Sequence, residues 1–413
     1  GGSLVQHGIL EILPGATFSP LASGTIELQA TTVFEGSGAI DLASQEIKVN
    51  GAVRVPSQIA YMHWANIHCS LSNQGTIELE TSGEFKHCRF EQVDTKPYLS
   101  LVALGTELHI DECRFIKGLA AVTITNSTNW SLRHSYFNGC EVGLSALSIP
   151  TSFESNTFES CVKGAKIEAF GGAVAISRSN FKHCKNIGLV VSNAHLRITC
   201  SSFQFNNVGL LVQKGTLDIA RHASNSWISN DTAVYLQQVK GLDLAQGQNR
   251  FQGNICFDLI GNIDPSMAIG SSNGILQLAA HFNTFSFNES IKLNQHRAPV
   301  YLQFNPNQSI SPHLCPQDIV NHDDPSYFSN AHEESLRIAP NPTSSGAGIL
   351  FLPSPFQGGT VRIISSQGAL VFEREVEAGK RTMMIEKPLV KGGYTIQFIH
   401  GEQTHALKWM VVN

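Results

Sequence analysis

An aromatic side chain returns at a near-constant interval through much of this chain, and that interval restricts the fold more than any other feature. The series runs Phe90, Phe115, Phe137, Phe158, Phe181, Phe203, Trp227, Phe251, with steps of 25, 22, 21, 23, 22, 24 and 24 residues, and Phe285 continues it after a step of 34. Repeats of this length mark a solenoid, in which each unit buries its apolar side only by stacking on its neighbours. Shortly before each aromatic stands an alternating strand, as in Leu108-His109-Ile110, Val174-Ala175-Ile176 and Leu196-Arg197-Ile198. The form persists in Leu217-Asp218-Ile219, Leu242-Asp243-Leu244 and Leu276-Gln277-Leu278. Glycine follows the aromatic six or seven positions on, at Gly143, Gly164, Gly188 and Gly209, and a second apolar strand comes next, such as Leu210-Leu211-Val212. A unit of about 22 residues is too short for a strand plus a full helix, and it lacks the leucine-and-asparagine signature of leucine-rich repeats.

The third position after the aromatic is Cys140, Cys161, Cys184, Asn206, Asn230, Asn254 and Asn288 in successive units. In a parallel β-helix one such position stacks coil upon coil at ~4.8 Å, so asparagines can hydrogen-bond along the column and cysteine can replace them as a small buried residue. The pattern predicts a right-handed parallel β-helix, and it resembles the parallel β-helix repeat family over most of residues 75–305. Gly24-Thr25-Ile26-Glu27-Leu28, Gly38-Ala39-Ile40-Asp41-Leu42 and Gly75-Thr76-Ile77-Glu78-Leu79 read as further coils, and 261–273 as a loop inserted into one coil. In-register side chains on parallel strands point the same way, so Cys140, Cys161 and Cys184 are expected to be free thiols.

Composition narrows the class. Charged residues are 15% of the chain, glycines number 35 and the net charge is −5, so there is no basic stripe and nucleic acid is not an expected partner. Nine cysteines leave at least one unpaired within the chain. No apolar run approaches the ~18 residues of a membrane-spanning helix. The opening Gly1-Gly2-Ser3-Leu4-Val5 carries no export signal, so the chain is expected to be the C-terminal part of a longer passenger.

After residue 310 the aromatic period stops. Ser311-Pro312, Cys315-Pro316, Asp324-Pro325 and Glu333-Glu334 read as a linker over 311–335 between a β-helix over 1–310 and a tail over 336–413. The tail holds about seven short strands separated by Gly358-Gly359, Ser366-Gln367-Gly368, Ala378-Gly379, Gly392-Gly393 and His400-Gly401, which predicts a small antiparallel Ig-like β-sandwich. It carries Pro340-Asn341-Pro342, a hairpin around Gly368, Gly392-Gly393-Tyr394 and a closing Lys408-Trp409-Met410-Val411-Val412. These motifs, in this order, resemble the type A C-terminal sorting domain of the type IX (Por) secretion system of Bacteroidota. The resemblance implies passage through the periplasm and the outer-membrane translocon, a shuttle barrel that holds the domain, and a sortase that can cleave it and attach the cargo to surface lipopolysaccharide. Secretion or display at the cell surface is the implied destination.

No catalytic constellation, metal or cofactor is expected in the β-helix. Polysaccharide lyases and glycoside hydrolases of this fold need clustered carboxylates on one face. Asp218 and Asp243 occupy like positions in adjacent coils with Arg197 one coil earlier, and they read as a solvated, charge-balanced outer face. Asp111 and Glu112, as neighbours along a strand, should point to opposite sides. His63, His68 and Cys69, echoed by His87-Cys88 and His183-Cys184, lack zinc-site spacing, and Asp323-Asp324 falls in the linker. The leading expectation is an adhesin or carbohydrate-binding module; the alternatives are a polysaccharide-cleaving enzyme and a structural stalk for an upstream domain.

Overall fold

A computed structural model describes residues 3–20, 25–93, 99–104, 107–125, 127, 129–264, 271–272, 275–286, 290–294, 299–304 and Cys315, and in the tail 337–339, 348–351, 358–376, 382–385, 389–400 and 403–411. The named elements are all β-strands. The chain divides into two compact units, one holding Asp41–His322 and the other Asp323–Asn413, with short stretches of the first 40 residues assigned to each.

The coils are three-sided. One coil has Leu108–Asp111, Arg114–Ile116 and Ala120–Thr125, and the next has Trp130–Arg133, Tyr136–Asn138 and Val142–Leu147. Each strand pairs in parallel with its counterpart one coil on, which generates three faces. The first face stacks eleven strands, from Thr17–Phe18 to Gly241–Asp243. The second face carries the periodic aromatic at the centre of a three-residue strand, too short to display an alternation in the sequence. The third face follows the glycine. The similar early segments Thr25–Gln29, Ala39–Ala43 and Thr76–Leu79 lie on three different faces rather than in equivalent places of successive coils: Thr25 pairs with Glu46, Ala39 with Thr17, and Ile77 with Val53 and Leu101. Alternation with period two is the same on every face, so it cannot reveal which face a strand occupies.

Inside, the aromatics form one continuous pile. Phe90, Phe115, Phe137, Phe158, Phe181, Phe203, Trp227 and Phe251 are in register. Their rings stack nearly parallel, with centroid separations from 4.5 to 5.3 Å, and Phe285 adds a further ring 4.9 Å from Phe251. The glycines make room for this pile. A Cβ on Gly164 would lie 2.3 Å from the carbonyl oxygen of Gly188 and 3.1 Å from the Phe181 ring.

Two polar ladders flank the rings. After the aromatic, the Asn206 amide oxygen accepts the Cys184 N–H at 2.9 Å, Asn230 accepts the Asn206 N–H at 3.0 Å, and Asn254 accepts the Asn230 N–H at 3.0 Å. The Asn206 and Asn230 side-chain amides also donate to the next asparagine in the column. The buried Cys140, Cys161 and Cys184 extend the column and are free thiols. Asn288 lies outside the described residues. The ladder ends on Asp258, which is 0% exposed and stands where earlier coils have glycine or alanine. Its carboxylate accepts from the Asn254 amide at 2.8 Å and from the hydroxyls of Ser286 and Ser290 at 2.9 and 2.7 Å. The second ladder sits two residues before the aromatic, at Cys88, Cys113, Ser135, Asn156, Ser179, Ser201, Asn225, Asn249 and Asn283, and its side chains accept the backbone N–H one coil earlier from Cys113 to Asn249. Its mixed chemistry hides it in the sequence, although the spacing is constant.

Cys315, in the segment read as linker, is disulfide-bonded to Cys200 on the corner before Phe203, with Cα atoms 5.7 Å apart. The bond ties that part of the segment to the β-helix. The inserted loop is described only at its edge, where Ser271–Ser272 pairs antiparallel with Ile275–Leu276.

The tail has two antiparallel sheets. Arg337–Ala339, Gly348–Phe351 and Thr382–Ile385 form one; Leu370–Val376, Gly359–Ser365, Gly392–His400 and Gln403–Val411, in that order, form the other. Leu350, Met383 and Ile385 from the first sheet share an apolar cluster with Val361, Ile363, Tyr394, Ile396, Phe398 and Val411 from the second.

Candidate functional site

On the β-helix, a polar groove of about 510 Å³ opens along the edge of the third face. It crosses five coils, a span of ~19 Å at ~4.8 Å per coil. Lys166 and Glu168 come from the strand Lys163–Glu168, Ser192 from Ile187–Ser192, Gln213 from Val208–Gln213, Tyr235 and Gln237 from Thr232–Val239, and Asn262 from Phe257–Ile263. Asn193 and Lys214 complete the lining from the adjoining corner, and Gln238 does so from an irregularity within Thr232–Val239. Each of these three has φ of 54–55°, which breaks the strand alternation and throws the side chain outward.

Register explains the groove. Glu168, Ser192, Gln213 and Gln237 form one row across the strands. Ser192 donates to the Gln213 side chain at 2.9 Å, Gln213 donates to Gln237, and Asn193 donates to Glu168 at 3.0 Å. The neighbouring row is Lys166, Val190, Leu211 and Tyr235, so apolar side chains and a phenol ring lie beside a run of amides. Val190 and Leu211 are buried, so of that row's ring and apolar groups it is Tyr235 that lines the groove, where it can stack against the C–H face of a sugar while amides bond its hydroxyls. Among the described lining residues Glu168 is the single carboxylate.

The carboxylates singled out in the sequence lie elsewhere. Arg197, Asp218 and Asp243 stand in register on the first face. Asp218 accepts the Ala220 N–H at 3.0 Å and lies 3.8 Å from the Arg197 guanidinium, and Asp243 accepts the Ala245 N–H at 3.0 Å. Both carboxylates cap local turns. His63, His68 and Cys69 diverge: His63 Nδ1 lies 2.7 Å from the Asp41 carboxylate in a buried pair, His68 is half-exposed on the second face, and Cys69 points inward in the aromatic column. His183 stacks outside on Phe205 at 5.0 Å, whereas its neighbour Cys184 is inside.

Asp111 and Glu112 do not point to opposite sides. Glu112 occupies the corner position with φ of 53°, which breaks the strand alternation, and the two carboxylates converge with the His134 imidazole so that one ligand atom from each lies within 4.8 Å of the others. The same corner position, three residues before the aromatic, is left-handed at His87, Glu112, His134, Ser155, Arg178, Cys200, Ser224, Gln248 and Phe282.

Residues 75–233 match the family model described as right handed beta helix region. The coils are a right-handed β-helix. No curated protein matches the chain. Among solved structures, the crystal structure of the Acinetobacter phage vB_ApiP_P1 tailspike protein is 12% identical with a TM-score of 0.17, over 98% of this chain and 73% of that one. A likeness of that degree carries no functional argument.

In the tail, Gly368 has φ of 84° and closes the turn between Gly359–Ser365 and Leu370–Val376, its N–H donating to the Ser365 carbonyl at 2.9 Å. Gly392, Gly393 and Tyr394 open the strand that pairs with the last one, where Thr395 meets Lys408 and Gly392 meets Val411. Tyr394 is buried and donates to the Val390 carbonyl at 2.6 Å. Pro340, Asn341, Pro342 and Val412 lie outside the described residues.

Proposed function

We propose that the protein is an exported binding module: its β-helix binds an extended polysaccharide along the third-face groove, and its tail is an Ig-like type IX sorting domain that directs it to the cell surface or the medium. The groove carries the first part of this reading. It is long and open, lined by amides and a tyrosine, and its described lining holds one carboxylate, which is already bonded to Asn193. Those features suit a binder better than a lyase or hydrolase, which need paired carboxylates or calcium ligands.

The tail's four ordered motifs support the export route, with the translocon, shuttle barrel and sortase as partners and surface lipopolysaccharide as the anchor. The Cys200–Cys315 disulfide accords with a protein that matures outside the reducing cytoplasm.

The test is a panel of immobilised neutral and acidic bacterial and host glycans probed with the 413-residue chain. Binding to one class is expected, weakened about tenfold or more by Gln213→Ala or Tyr235→Ala, the loss of roughly 1.4 kcal/mol of contact energy. Binding unaffected by both substitutions, or none across the panel, counts against the groove.

A further inference from the structure

We propose that Asp111, Glu112 and His134 form a binding site for a divalent transition metal of the zinc class, with His87 beside them as the partner that orients Glu112. The β-ladder positions the set. His87, Glu112 and His134 take the left-handed corner on three successive coils, with φ of 52°, 53° and 49°. Their backbones are fixed by the His87 N–H to the Asp111 carbonyl at 3.1 Å, the Glu112 N–H to the Arg133 carbonyl at 3.1 Å and the His134 N–H to the Glu154 carbonyl at 3.0 Å. Asp111 is the last residue of its strand and reaches the same corner.

The side chains converge on one another. His134 Nδ1 lies 2.9 Å from Asp111 Oδ1, and His87 Nδ1 lies 2.7 Å from Glu112 Oε2. One ligand atom each from Asp111, Glu112 and His134 falls within 4.8 Å of the other two, so modest side-chain rotations bring all three to bonding distance of one ion. The cluster is shielded without being sealed, since the side chains of Asp111, Glu112 and His134 are 24%, 23% and 27% exposed and that of His87 is 7%. Arg133 is the opposing charge, 4.0 Å from Asp111 on the side away from His134's contact oxygen.

Donor chemistry selects the metal. An imidazole with two carboxylates suits zinc, cobalt or nickel, whereas calcium needs six to eight oxygens and magnesium a near-octahedral oxygen shell. A bound ion would replace the Asp111–His134 contact with one centre joining two coils.

The experiment uses the full chain, stripped with a chelator and titrated with Zn²⁺ by calorimetry and with Co²⁺ by visible absorption. One ion per chain is expected, with affinity at least tenfold weaker in His134→Gln and in Asp111→Asn/Glu112→Gln, and unchanged in His195→Gln, an exposed histidine elsewhere on the surface. Cobalt bound to the unaltered protein should show the visible bands of an imidazole–carboxylate site of low coordination, a reading that needs no variant. No zinc uptake, equal uptake by the variants, or an aquo-like cobalt spectrum at saturation would overturn the proposal.

Discussion

Phe181 lies between Phe158 and Phe203, with ring centroids 5.1 and 4.9 Å away and planes within 7° of parallel. Ring stacking adds ~0.5–1.5 kcal/mol per pair to the burial of its area. Phe181→Ala should therefore cost ~3–5 kcal/mol, and Phe181→Asp more, because an unpaired charge would sit between two coils. Limited proteolysis should show residues 160–205 opened in the Asp variant; unchanged resistance would place the aromatic outside the core. Trp227 occupies the same column at 0% exposure, yet its indole nitrogen has no hydrogen-bond partner among the described residues. Trp227→Phe removes that unsatisfied donor while leaving a small gap, and these two effects of ~1–3 kcal/mol oppose each other. Its denaturation midpoint should differ little from the parent, in contrast to Phe181→Ala.

At the scale of the coil, the two ladders explain how much of the fold the sequence discloses. The aromatic column is legible because few residues fill that volume, and the column after it because cysteine or asparagine occupies it without exception from Cys140 to Asn254. The column before it, from Cys88 to Asn283, mixes cysteine, serine and asparagine, since any small side chain that accepts one backbone N–H satisfies the position. The corner cluster of Asp111, Glu112 and His134 was less legible still, because a single left-handed residue reverses the direction that strand alternation predicts. The groove is hidden for a related reason: its amides are spread over five coils and form a row only through register.

The same columns govern the thiols. Burial pushes the Cys184 thiol from its usual value near 9 up to about 12, and burial likewise raises Cys69 and Cys113. Cys140 is raised by its contact with Cys161 and then by burial, while that contact draws Cys161 the other way. With no cation among the described residues acting on either sulfur, we assign the raised direction to the pair. A thiol whose folded pKa is raised favours the native state fully below the unfolded value, and this contribution is lost as pH rises from about 9 toward about 12. Stability should accordingly fall across that alkaline window. Alkylation of the native protein at neutral pH should spare Cys140, Cys161 and Cys184. Under denaturing, non-reducing conditions these three should all be labelled, and Cys200 and Cys315 should not; a linked peptide pair among the three would refute the stacked-thiol arrangement.

For the whole molecule, the disulfide sets where the tail should be separated from the β-helix. Cys315 is bonded to Cys200, so a fragment that starts at 311 would carry an unpaired half of that bond, whereas Asp323–Asn413 avoids it. Within the tail, the final strand Gln403–Val411 pairs along its full length with Gly392–His400 and has no second neighbour among the described strands of its sheet, and strand addition by a partner would use that edge. A signal-bearing fluorescent protein fused to residues 323–413 should be exported to the surface or medium by a bacterium with a type IX system. Deleting Lys408 to Asn413 removes much of the edge strand together with Val411, which is 3% exposed in the tail's core, and the fusion should then stay in the periplasm. Loss of folding and loss of recognition are separable: Lys408→Ala keeps the core residues, and should reduce export while leaving the protease resistance of the tail intact. Export of the truncated fusion, or export in a strain lacking the translocon, would show that the tail is not the address.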